Sequence, residues 1–178
     1  MALTLIKEDG TGKADANTYA NVADGDTYFD GHLYASAWTV ATTGNKEKAL
    51  VMATRLIDAE RQFNGVKSTA TQALQWPRAE CLDPDGASES GAVAVLPSDT
   101  VPPAVMKATC ELAKELLLQD RTTAPPGEGI SATWTDTTGT KYSKTDKRAV
   151  LSYLVQSLLA RFSVSVRRGN PVVRLVRT

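Results

Sequence analysis

VPPAVMKATCELAKELLLQD, residues 101–120, is the stretch whose reading decides the fold. Proline suits a first helical turn, where its missing N–H costs nothing, so the spacing predicts a helix opening at Pro102-Pro103. At helical periodicity Val105, Thr109, Leu112 and Leu116 form one band, with Met106, Cys110, Ala113 and Leu117 beside it. Lys107, Glu111, Lys114, Glu115 and Gln119 fall opposite, with Leu118 among them. The pattern predicts a strut buried along one side. Its charged back, with Leu118, Glu111 and Glu115, is a candidate surface for a neighbouring subunit.

Outward from this strut, three more helices are expected. The first starts at Asn21, an N-cap residue with Asp24 three positions on, and places Val22, Phe29 and Leu33 on one face. The second runs from about residue 46 to 61, with Ala49, Leu50, Ala53, Leu56 and Ile57 inward, and stops near Asn64-Gly65. The last is capped by Thr145 or Asp146 and runs to about Arg161, with Val150, Leu151, Leu154, Val155, Leu158, Leu159 and Phe162 as a broad apolar side. Periodicity lapses over the long loop 64–100, where Trp76-Pro77-Arg78 is extended and Asp83-Pro84-Asp85-Gly86 is a turn. Trp76, Pro77 and Arg78 are expected to be structural, and the loop either packs onto the body through Trp76 or faces a neighbouring molecule. Residues 121–145 form a linker with Pro125-Pro126-Gly127, then a small β-hairpin or extended loop around Asp136 to Gly139. The resulting expectation is a mainly α fold, a four-helix bundle core over residues 1–162, followed by an extended basic arm, 163–178. In the arm Val164/Val166 and Val173/Leu175 alternate around Gly169-Asn170-Pro171, a pattern suited to adding a strand to a partner.

Twenty basic and twenty acidic residues cancel overall, which conceals a polarity along the chain. Beyond Asp146 there is no acid, while Lys147, Arg148, Arg161, Arg167, Arg168, Arg174 and Arg177 give +7; residues 1–146 carry −7. Such polarity suits a partner met through charge. Cys81 and Cys110 form no metal pattern and read as reduced core thiols. No apolar run is long enough to span a membrane, and the N-terminus lacks a signal-peptide pattern.

Catalytic chemistry finds little support. Gly10-Thr11-Gly12-Lys13 hints at a phosphate loop, but Ala14 stands where Ser or Thr is required. Asp83, Asp85 and Glu89 hint at a calcium loop, but Gly86 arrives too early and a ligand is missing. His32 is the sole histidine and reads as a capping or surface residue. The expectation is a non-enzymatic protein without cofactor or metal. Trp38, Trp76, Trp134 and the tyrosines could stack bases beside the Arg-rich tail, which keeps single-stranded DNA binding as the rival reading.

An ordered set of short motifs sharpens this. Thr18-Tyr-Ala-Asn-Val-Ala-Asp24 leads into the first helix, a Trp38 segment precedes the second, and Ala53-Thr-Arg-Leu-Ile-Asp58 lies within it. Gln72-Ala-Leu-Gln-Trp-Pro-Arg78, Asp99-Thr-Val-Pro102 and Val173-Arg-Leu-Val-Arg177 follow. The series resembles the tailed-phage head–tail connector (adaptor) family, members of which are also labelled DnaT-like single-strand-binding proteins. The resemblance implies a helical adaptor in the virion, made in the bacterial host cytoplasm and assembled as a ring of about twelve copies under the portal protein. A tail or stopper protein would dock below, with packaged DNA nearby. It implies further that Arg167, Arg168, Arg174, Leu175, Val176 and Arg177 engage the portal.

Overall fold

The structure, a computed structural model, describes residues 3–86, 94–123, 132–135, 138–141 and 149–166. In chain order its elements are α1 (Val22–Phe29), α2 (Ser36–Thr39), α3 (Thr43–Glu60), β1 (Arg61–Phe63), β2 (Val66–Lys67), β3 (Arg78–Ala79), α4 (Pro103–Leu118), β4 (Ala132–Thr135), β5 (Thr138–Lys141), α5 (Tyr153–Leu159) and β6 (Ser163–Ser165).

Helix α4 begins where its prolines predict, with Pro102 as the extended cap and Pro103 at the first helical position. Val105, Ala108, Thr109, Cys110, Leu112 and Ala113 are all fully buried. The Thr109 hydroxyl is satisfied by donating to the Val105 carbonyl at 2.9 Å, so it can sit in the apolar band. Helix α3 packs along α4 through Ala49, Leu50, Ala53 and Ile57, and α5 closes the other side through Val155 and Leu159. At the start of α1, Asn21 accepts from the Asp24 N–H and Asp24 accepts from the Asn21 N–H, both at 2.8 Å, completing the expected capping box. Gly25 lets α1 approach Trp38: a Cβ there would lie 2.3 Å from the indole ring.

The expected four-helix bundle is not what forms. Only α3 and α4 are long; α1 stops at Phe29, and α2 is a single turn that buries Trp38. Residues 149–152 are not helical, and Ser152, whose hydroxyl accepts from the Val155 N–H at 3.4 Å, opens α5 eight residues before Ala160. The rest of the described chain includes three two-stranded antiparallel sheets: β1 with β6, β2 with β3, and β4 with β5. The last of these gives the hairpin expected between 121 and 145.

The long loop belongs to the core. Trp76 is fully buried, its ring edge-on to Phe63 at 5.6 Å and to Phe162 at 6.3 Å between centroids. Leu74 and Cys81 are buried with it. The three aromatics tie the loop, the end of α3 and the end of α5 into one layer. Removing an aromatic anchor of this kind costs about 3–5 kcal/mol.

Candidate functional surfaces

Charge inside this domain is used to hold backbone. Arg78 is buried and its guanidinium meets no carboxylate; it donates to the carbonyls of Asn64 (2.7 Å), Gly65 (2.6 Å) and Gln75 (3.1 Å). Within the Trp-Pro-Arg motif Trp76 fills the core and Arg78 ties down the turn at Asn64-Gly65. Arg61 works in the same manner on β6, donating to the Ser163 hydroxyl (2.9 Å), the Ser163 carbonyl (2.9 Å) and the Ser165 hydroxyl (2.8 Å). Desolvation lowers the pKa of both guanidinium groups.

The β1–β6 register bears on the expected strand addition. Asn64 N–H bonds the Phe162 carbonyl and Val166 N–H bonds the Glu60 carbonyl, so the polar backbone groups of Ser163 and Ser165 point away from β1. Arg61 reaches across and occupies the outward Ser163 carbonyl. Residues 163–165 are thus fastened to the body, and their edge is partly capped against another strand. Arg167, Arg168, Arg174, Leu175, Val176 and Arg177 lie outside the described residues.

Two carboxylates are also turned inward. The Glu111 side chain is 1% exposed, so the sequence expectation that it faces outward is corrected. Its oxygens receive the Tyr28 hydroxyl at 2.9 Å and Lys114 Nζ at 2.7 Å, and His32 Nε2 lies 3.3 Å away. His32 Nδ1 accepts the Tyr34 N–H at 3.0 Å, and its Nε2 faces Lys114 Nζ at 3.2 Å as well as the Glu111 carboxylate. Glu115 also turns to its own chain, pairing with Arg121 at 3.2 Å. Of the three residues expected at a subunit surface, only Leu118 is open, at 70% exposure.

Glu8 explains the glycine-rich loop. Its buried carboxylate accepts from the backbone N–H groups of Gly10, Gly12 and Lys13, each at 2.9 Å. Gly10 (φ +102°) and Gly12 (φ +74°) give the left-handed turns that aim these donors inward. The loop does gather N–H groups around an anion, and that anion is its own side chain. A fourth inward carboxylate, Asp58, accepts from the Tyr19 hydroxyl at 2.6 Å and the Gln75 N–H at 3.1 Å. Burial pushes its carboxyl up to about 6.

The remaining expected sites resolve simply. Asp83 accepts from the Asp85 N–H at 3.0 Å, as in a turn, and Asp85 pairs with Arg161. No group of three or more metal-ligating side chains occurs among the described residues. Both cysteines are buried and unbridged, and burial pushes the Cys110 thiol up to about 12. Trp38 and Trp76 are buried and cannot stack bases, whereas Tyr34 and Tyr153 are exposed.

On the outside the pattern reverses. Leu33 (88%), Tyr34 (79%), Val40 (82%) and Tyr153 (88%) are large apolar or aromatic side chains in the open. A groove of about 590 Å³ runs between α3 and α4, with Leu3, Met52, Leu116 and Leu117 inside and Lys48 and Arg55 at its rim. Neither of these cations has a carboxylate within ion-pair distance among the described residues. Sequence periodicity signals neither the knob at Leu33 nor the groove, since both exist because no element among the described residues covers them.

The architecture defines a small, mainly helical domain built on an α3–α4 pair, with short sheets as clasps and buried charges as tethers. The chain belongs to the family described as "Putative DnaT-like ssDNA binding protein", which matches residues 3–178. That agrees with the DnaT-like label; a head–tail connector is not part of the match. No curated protein and no solved structure matches the chain. No helix among the described residues is long and apolar enough to cross a membrane.

Proposed function

We propose that the protein binds single-stranded DNA, without catalysis, through the acid-free segment that follows Val166. The observation that carries this is where the cations are. In the body Lys7, Lys13, Lys46, Lys114, Arg121 and Arg161 are paired with carboxylates, and Arg61 and Arg78 hold backbone. Residues 167–178 hold four arginines and no acid. A phosphate backbone is recognised by such unneutralised charge, with the release of its counterions. The family description supports the same partner. Titrating a labelled oligonucleotide at several salt concentrations tests it. Four arginine–phosphate contacts predict a slope of about −3 in log K against log salt. No binding at low salt would remove the reading.

A second reading is favoured by the exposed side chains Leu33, Tyr34, Val40 and Tyr153, which suit protein contacts better than phosphate. On it the protein is a head–tail adaptor of a tailed phage virion, ringed under the portal, with the arm on the portal and a tail or stopper protein below. The resemblance of the ordered motifs supports this. Electron microscopy of the protein mixed with portal tests it: a closed ring stacked on the portal is expected, and separate particles would contradict it.

A further inference from the structure

The α1–α2 loop is an exposed feature with a rigid base. Phe29 and Trp38, both buried, bracket it, and their rings lie 5.2 Å apart between centroids. His32 fastens its middle, accepting the Tyr34 N–H while its other nitrogen faces the buried Glu111. Between these anchors Leu33 and Tyr34 project at 88% and 79% exposure, with the exposed Asp30 just before them. An ordered loop presenting two large side chains loses little conformational entropy when they are covered, which favours their use in a contact.

The α3–α4 groove offers the complementary chemistry. Its interior is formed by Leu3, Met52, Leu116 and Leu117, and Lys48 and Arg55 stand on its rim, two helical turns apart, about 10 Å along α3. Asp120 at one end accepts from the Thr122 and Thr123 hydroxyls at 2.7 and 2.6 Å, which hold it ionised, so the two cations set against this one carboxylate leave the lining net positive. An occupant should bring apolar side chains beside a carboxylate, which is the composition of Asp30, Leu33 and Tyr34. The exposure of Leu33 shows that a chain's own loop does not fill its own groove.

We infer that copies of this protein associate head to tail, the Leu33–Tyr34 knob of one entering the α3–α4 groove of the next and Asp30 facing Lys48 and Arg55. Knob and groove are different surfaces, so the contact is heterologous and propagates into a ring or an open chain of copies. It involves no residue after Val166 and stands apart from the DNA-binding reading.

The test uses two surface variants and sedimentation velocity. Leu33→Ser/Tyr34→Ser keeps the groove and loses the knob; Lys48→Glu/Arg55→Glu keeps the knob and reverses the rim charge. Wild type is expected to associate as its concentration rises into the high micromolar range, and each variant alone to stay monomeric with a wild-type unfolding midpoint. Mixed together, the two variants form a one-to-one dimer and nothing larger, because only one working knob and one working groove remain. The chain ended at Val166 associates like the full chain. Wild type that stays monomeric overturns the inference, as does either variant associating normally. Mixed variants that remain monomeric, or a chain ended at Val166 that no longer associates, overturn it equally.

Discussion

Glu111 and Leu118 lie two turns apart on the same side of α4, and the structure treats them in opposite ways. The carboxylate is 1% exposed and the leucine 70%. The early turns of that side are covered by Tyr28 of α1 and by His32, whose polar groups meet Glu111. Among the described residues the last turn has no such cover. A helix's periodicity says which residues share a side; what lies over that side changes along the axis. In this domain the covered part holds charge that fastens loops, and the uncovered part leaves apolar side chains for partners.

The most severe break of the covered region is Arg78→Ala. It removes three charge-assisted hydrogen bonds, those to the carbonyls of Asn64, Gly65 and Gln75, and a loss of about 4 kcal/mol is expected in denaturant unfolding. A loss below about 1 kcal/mol would show that the clamp is not a tether. Next is Glu111→Ala, which leaves the Lys114 ammonium and Tyr28 hydroxyl without their acceptor; about 3 kcal/mol is expected. Glu111→Gln, which retains an acceptor for Tyr28, should lose less, and equal losses would argue that only volume matters.

Asp58 gives a third way to sharpen the contrast, through pH. Its folded carboxyl is raised to about 6 from a usual 3.8, so the folded state holds its proton more tightly than the unfolded chain does. Stability should therefore fall as pH rises through the window between these values, by on the order of 2 kcal/mol after allowing for partial exposure. Unfolding midpoints measured across that window should slope more for wild type than for Asp58→Asn. Parallel slopes would place the titration elsewhere. The smallest effect belongs to the uncovered region: Leu33→Ser/Tyr34→Ser should shift unfolding by no more than about 0.5 kcal/mol.

The legible parts of the fold were those decided locally. Asn21 with Asp24, the Pro102-Pro103 start and the hairpin near Asp136 each carry their reason within a few residues. Glu111 was misread because its partners Tyr28 and His32 are about eighty residues away in sequence and come from an element with its own separate pattern. The β1–β6 clasp was hidden likewise, since Arg61 reads as a helix end and its serine partners lie about a hundred residues on. The last helix was overextended because Val150 and Leu151 fit helical spacing, while Ser152 is the residue that caps. Glu8 did leave a signal, an acid two positions before Gly10 in a glycine-rich loop, consistent with an internal anion rather than a phosphate site.

On the proposed function most of the body's charges, Lys48 and Arg55 aside, are used internally, and the segment after Val166 supplies DNA binding. The chain ended at Val166 keeps β6 and the Arg61 clasp, so it should unfold like the full chain. Fluorescence anisotropy of a labelled single-stranded oligonucleotide, measured at low salt with both chains, is the direct comparison. Salt-dependent binding by the full chain and none by the chain ended at Val166 is the predicted result. Equal binding by the two would contradict it and return the site to the folded body.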